Sequence, residues 1–232
     1  MSTYTPLDPV MLKADSKART FPRISSFIVV TLIGLLVSAL AGMTRTEEVI
    51  IDGTRQIIRT TTTFSSLVSL LISPVVSVAT ARFYLTFLRY DATDVNVMRT
   101  VIPEYGRHLF GMLWMMLFVF LWSLLLIVPG IIKAIAYSMT PYILSDNPNV
   151  GYREAIKISM VLTDGRKGEI FRVMLSFIGW GLLCIVTAGI AAFWVSPMYS
   201  TCMAQVYEIL KGDAIAQGRI DARVFGDELT VM

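Results

Sequence analysis

The sequence predicts an all-α integral membrane protein with about six transmembrane helices arranged as three helical hairpins, and three observations lead there. Hydrophobic residues make up 55% of the 232 residues and charged residues only 16%, against roughly 25% charged in ordinary soluble domains. Mean hydropathy is +0.65, more apolar surface than a soluble globule of this length can hide. The apolar residues also come in blocks of membrane-crossing length, separated by polar segments. With 20 Lys plus Arg against 17 Asp plus Glu the formal charge is +3. That lacks the clustered basic excess of a nucleic-acid binder, so nucleic acid is excluded as a partner.

Taken in order, residues 1–23 are a polar N-terminal segment carrying Lys13, Lys17, Arg19 and Arg23. The first span, 24–42, offers about 28 Å of helix, close to a bilayer core. A secretory signal peptide is the rival reading, because basic residues precede the run and Ala39-Leu40-Ala41 has a small-x-small form. The long basic region and the further membrane-length segments favour a span. Residues 43–63 read as a polar, threonine-rich loop in which Arg45, Arg55 and Arg59 are matched by Glu47, Glu48 and Asp52. The second span, 64–88, contains Pro74, which neighbouring helices and hydroxyls make tolerable, and Arg82. The long stem of Arg82 is expected to carry its guanidinium to the interface beside Arg89.

Between 89 and 107, Asp94 is placed to cap a short helix whose Val95, Met98, Val101 and Ile102 share a face before Pro103 ends it. This reads as a helix lying on the membrane surface. Spans 109–128 and 131–145 form a tight hairpin about Pro129-Gly130. The second of these reaches only about 23 Å, so it either crosses a thinned region or is re-entrant. Lys133, close to the turn, is expected to snorkel outward. A second interfacial helix carries Tyr152, Ala155, Ile156, Ser159, Met160 and Thr163 on one face and Arg153, Glu154 and Lys157 on the other. The long apolar block from Ile170 to Leu210 divides near Thr187-Ala188-Gly189 into spans 170–187 and 190–210. A single polytopic domain thus covers 24–211, and 212–232 is a polar tail.

Basic residues set the orientation. With six spans, Lys13, Lys17, Arg19, Arg23, Arg89, Arg99, Arg107, the run from Arg153 to Arg172, Lys211, Arg219 and Arg223 all fall on one side, while the opposite side has only the charge-balanced 43–63 loop. By the positive-inside rule both termini are cytoplasmic. An internal repeat accompanies this pattern. Trp122 to Pro129-Gly130-Ile131 is echoed by Trp180 to Gly189-Ile190, and each copy is followed by a proline and a tyrosine, Pro141 with Tyr142 and Pro197 with Tyr199. Both turns lie on the same side, so the copies are parallel. Pro74, Pro129, Gly130, Pro141, Gly189 and Pro197 are the expected turns and kinks.

The strings Pro129-Gly-Ile-Ile-Lys133, Tyr137-Ser-Met-Thr-Pro-Tyr142-Ile-Leu-Ser-Asp146-Asn-Pro148, Ala155-Ile-Lys157-Ile-Ser159 and Leu175-Ser-Phe-Ile-Gly-Trp180 follow one another in an order that resembles the bacterial family called domain of unknown function 975. Further matches are Thr187 to Ile190 before Trp194, and Pro197 with Tyr199 before Tyr207. The likeness is strongest over 85–210. One departure is visible: where the family usually has Met-x-Gly-His-Lys, this chain reads Leu162-Thr-Asp-Gly165-Arg166-Lys167. The resemblance implies an integral bacterial plasma-membrane protein without an assigned activity.

Absences sort the function classes. The single histidine, His108, has only Glu104 as an acidic neighbour, too few ligands for a metal, and Cys184 and Cys202 lie inside apolar runs as small hydrophobes, so neither a metal, a cofactor nor a disulfide is expected. No His-Glu-x-x-His, Gly-x-Ser-x-Gly or comparable catalytic pattern occurs, which argues against an enzyme. Apart from Glu208 at the very end of the last one, the six apolar runs contain no Asp or Glu, whereas an ion-coupled transporter needs carboxylates within its spans. The leading expectation is a non-catalytic membrane module that meets lipid and either a membrane protein partner or a second copy of itself. A small-solute or lipid transporter with Pro-broken helices is the alternative. The residues expected to contact lipid or a partner are Asp146, Asn147, Lys157, Ser159, Asp164, Arg166 and Lys167. For Asp146-Asn-Pro148 a helix stop and cap, and for Arg166 and Lys167 contact with anionic head groups, are the simpler roles.

Overall fold

A computed structural model describes residues 5–41, 44–51, 54–61 and 63–225. Helix α1 (Pro9–Thr20) starts where the Asp8 carboxylate accepts from the Val10 N–H, 2.9 Å, with Pro9 at a position that needs no N–H. A 3-10 turn, Phe21–Arg23, joins it to α2 (Ile24–Ala41). The polar segment ahead of the first span is therefore largely helical. Next comes an antiparallel ribbon, β1 (Thr44–Ile51) and β2 (Thr54–Thr61), with Thr44 opposite Thr61 and Ile51 opposite Thr54. This corrects the loop expected over 43–63. Threonine, valine and isoleucine are stiff, β-favouring residues, and the Asp-Gly pair that separates the strands in sequence is one favoured in two-residue hairpin connections.

Helix α3 (Thr63–Tyr90) runs through Pro74. The Asp94 carboxylate accepts from the Asn96 N–H, 2.9 Å, and starts a 3-10 helix, Val95–Glu104, that buries Met98 and Val101. This segment packs along α3, and the Tyr105 hydroxyl donates to the Leu71 carbonyl, 2.9 Å. Of the apolar face expected to meet the membrane surface, Met98 and Val101 meet protein, whereas Ile102 is exposed.

Helices α4 (Tyr105–Leu125) and α5 (Ile127–Tyr137) fold back on one another, pairing Ser123 with Gly130 and setting Met115, Phe118 and Val119 against Ala136 and Tyr137. A Cβ at Gly130 would lie 2.4 Å from Ser123 Oγ and 2.8 Å from its Cα, a close approach only glycine permits. Gly130→Ala is expected to cost about 1–3 kcal/mol, read as a lower melting temperature in detergent. Gly106→Ala, at a glycine facing open space, leaves that temperature unchanged or slightly raised. Gly189 answers a different need: its φ is +90°, beside Ala188 at 50°, in the turn before the last helix. The two glycines aligned by the repeat thus do different jobs.

The return segment expected as one span over 131–145 is divided between α5 and α6 (Thr140–Asp146). Pro141 stands in the first turn of α6, where its ring is accommodated, so it starts a helix and kinks none. α6 is enclosed by the protein, with Thr140, Tyr142, Ile143, Leu144 and Ser145 all buried. Helix α7 (Tyr152–Thr163) buries Ala155, Ile156, Ile158, Ser159, Leu162 and Thr163 and packs on α4, α5 and α6. Helices α8 (Lys167–Leu175) and α9 (Ile178–Val186) lead into α10 (Ala192–Ala216), which continues through Pro197. α10 extends past Leu210, and Asp213 and Ala214 are buried in it, so the start of the expected tail belongs to the core.

The core gathers around α3 and α10. Phe27 sits edge-on to Phe87 at 4.9 Å and to Phe83 at 5.6 Å, and stacks on Tyr84 at 5.7 Å. Tyr142 of α6 stacks on Tyr207 of α10 at 5.6 Å. Among the described residues, 4 helical stretches are long and apolar enough to cross a membrane: Pro9–Val37, Val68–Tyr90, Val95–Leu124 and Lys167–Val186.

Candidate functional site: two buried ion clusters and a basic cavity

The C-terminal carbonyls of the short helix α6 lack N–H partners within the helix, and two arginines supply the donors. Arg107 donates to the carbonyls of Leu144, Asn147 and Val150 at 2.9, 2.8 and 2.7 Å, and Arg82 donates to the Ser145 carbonyl. Arg82 therefore turns inward, against the expectation that it snorkels. Asn147 closes the end locally, its side-chain oxygen accepting from the Asn149 N–H at 2.8 Å.

Asp146, the last residue of α6, is 3% exposed in its side chain and ties three elements together. Its carboxylate accepts from Arg89 Nη1 of α3 at 2.6 Å, and from the Tyr207 hydroxyl at 2.8 Å and Lys211 Nζ at 2.5 Å, both of α10. Arg89 also donates through Nε to Glu208, 2.8 Å. Burial alone would raise the Asp146 carboxyl; the hydrogen bond and charge of Arg89, with Lys211, outweigh it and hold the group below its ordinary value. A cavity of about 340 Å³ opens beside this cluster, lined by Arg82, Arg89, Asp146, Asn147 and Asn149.

Arg166 anchors a second cluster. It is 4% exposed, and it donates to Asp213 of α10 at 2.5 Å, to the Thr5 carbonyl at 2.5 Å and to Glu169 at 3.1 Å. The Leu7 N–H reaches Glu169 at 3.1 Å, and the Thr5 N–H reaches Asp213 at 3.2 Å. The segment before α1 is thus bound to the far end of the chain. Ser159 is fully buried and donates to the Ala136 carbonyl, 2.8 Å.

Of the seven residues expected to face lipid or a partner, Asn147, Ser159 and Arg166 and the side chain of Asp146 are buried and occupied within the protein. Lys157, Asp164 and Lys167 remain at the surface, where they line a third feature, a cavity of about 480 Å³ between α5, α7 and the start of α8. Lys133 joins them there, its Nζ 5.1 Å from the Trp122 ring and 5.9 Å from Tyr137. It faces α7 and α8, against the outward snorkelling expected of it. Sequence reading missed Arg89, Arg107, Glu208, Lys211 and Asp213. The signal was there for the last three, since charges close the final turns of the longest apolar block. Among the described residues, no group of three or more His, Cys, Asp or Glu side chains is arranged to hold a metal ion.

The architecture defines a helical protein with several helices of membrane-crossing length, held at one end by ion clusters between helices. The chain belongs to the family described as Protein of unknown function (DUF975), whose model matches residues 19–214. No curated protein and no solved structure matches it.

Proposed function

We propose that this protein is a non-catalytic, polytopic plasma-membrane module that works by contact, with lipid and with a membrane protein partner or a second copy. The observation carrying this reading is the use to which its buried charges are put. Asp146 with Arg89 and Lys211, and Arg166 with Asp213, satisfy one another across helices. Charges committed in this way staple helices. In the proposed topology the chain crosses the membrane an even number of times, about six counting the α5–α6 return and α10, with both termini cytoplasmic.

Cysteine labelling in intact cells tests the topology, on a background with Cys184 and Cys202 replaced. Single cysteines at Thr54, Asn96, Asn149, Asp164 and Gln217 are expected to label from outside only at Thr54. Labelling of Gln217 from outside overturns it. Activity is tested in proteoliposomes loaded with small solutes, whose release is expected to match protein-free vesicles. A second reading, a pore-like transporter, is favoured by one observation. A cavity of about 330 Å³ between α2, α3, α6 and α10 is lined by Ser73, Ser77, Thr80 and Ser200 beside Pro141. Protein-dependent release that Thr80→Val and Ser200→Ala reduce selects that reading.

A further inference from the structure

We infer that the cavity between α5, α7 and α8 is a binding site for a phosphate-bearing anionic group, seated there as the headgroup of an anionic phospholipid. This rests on the membrane-module reading above and names the lipid chemistry it recognises.

Lys133, Lys157 and Lys167 come from three different helices and converge on one cavity of about 480 Å³. One carboxylate, Asp164, shares it, 3.6 Å from Lys167. Among the described residues, neither Lys133 nor Lys157 has a carboxylate within ion-pair distance, so the cavity carries excess positive charge. Lys133 is held over aromatic rings, Trp122 at 5.1 Å, which fixes its direction without neutralising it. Three ammonium groups with rotatable donors suit a phosphate, whose oxygens accept from several directions. Basic pockets between membrane helices are where anionic lipid head groups bind.

The rim separates a lipid from a free anion. Ile132 and Met160 line the cavity, and Ile131, Ile132 and Val161 are exposed beside it at 46%, 46% and 38%. Such a border has no use for a soluble phosphate and suits the acyl chains of a lipid whose phosphate sits among the lysines.

The test uses the detergent-solubilised full chain and native mass spectrometry, comparing phosphatidylglycerol with phosphatidylcholine. Retention of the anionic lipid is expected to be at least about tenfold stronger. The variant K133Q/K157Q/K167Q is expected to lose that preference. K17Q/R99Q/R172Q, which removes as many charges elsewhere, is expected to keep it. Because Lys133 contacts rings inside the α4–α5 pair, the exposed single change Lys157→Glu provides a variant that spares the fold, and it is expected to weaken the preference too. Equal retention of both lipids, or equal loss in both triple variants, overturns the inference. Displacement of the lipid by millimolar inorganic phosphate assigns the site to a soluble phosphate compound and overturns the lipid assignment. A protein that inserts into vesicles with the labelling pattern above yet shows no lipid preference fails this inference alone. One that fails to insert fails the membrane reading itself.

Discussion

Replacing Asp146 with alanine is expected to destabilise the protein by about 3–5 kcal/mol. The change removes the one acceptor shared by Arg89, Tyr207 and Lys211, and the Lys211 side chain, 6% exposed, is left as an uncompensated charge among buried neighbours. Arg89 retains Glu208 and a quarter of its surface, so most of the loss falls on Lys211. Melting followed by size-exclusion chromatography in detergent checks this. Tyr207→Phe, which deletes only one hydroxyl, is expected to cost about 1 kcal/mol. Asp146→Ala combined with Lys211→Met is expected to recover part of the loss, because the stranded charge is gone. A variant as stable as the parent would mean that the cluster does not hold α3, α6 and α10 together. The cluster also sets an acid limit. The folded carboxyl of Asp146 lies below its unfolded value, so its stabilisation is complete above about pH 4 and falls away as pH drops through the folded value. The difference in melting temperature between Asp146→Ala and the parent should therefore narrow as the pH falls below the unfolded carboxyl value, and a difference that does not narrow in acid contradicts this account.

Arg166→Ala is the second large effect, expected at about 3–5 kcal/mol. It strands Asp213, whose side chain is 6% exposed, and releases the Thr5 carbonyl. The loss has a local signature besides the global one. With Thr5 and Leu7 freed, α1 should become the preferred site of limited proteolysis, cleaved near Lys13 or Lys17 before the rest of the chain is attacked. Protease digestion with mass readout checks this. Cleavage unchanged from the parent would show that α1 is held by its packing on α10 alone. Arg166→Lys keeps the charge but not the forked donors that reach Asp213, Thr5 and Glu169 together, so it is expected to rescue only in part.

The helical apolar class was legible in the sequence because composition and block length depend on no long-range contact. Asp94 as a cap, and the apolar face of α7, were legible for the same reason: both are local patterns, read within a turn or two of helix. What covers those faces was not. A stripe such as Ala155, Ile156 and Ser159 looks the same whether lipid or another helix lies against it, and here the cover is α4, α5 and α6. The ribbon over 44–61 was obscured because its charges balance and give no periodic signal strong enough to outweigh the expectation of a loop. At the site, sequence singled out Asp146 and Arg166 but assigned them outward roles. Their partners lie 57 and 47 residues away, and pairing across such separations is set by how the helices pack. Lys157, Asp164 and Lys167 were found together because they sit within three turns of chain. Lys133, brought to them by the fold of α5 against α7, could not be.

The clasp between Thr5 and Asp213 has a consequence for synthesis. The two residues are separated by 208 positions, so the clasp cannot close until the chain through Asp213 has left the ribosome. During elongation the first helix lacks its main docking surface until α10 itself has been made. Nascent chains that stall before Asp213 therefore carry an unlatched amino end that quality-control proteases can grasp, and completion of α10 marks the moment at which the protein becomes resistant to them.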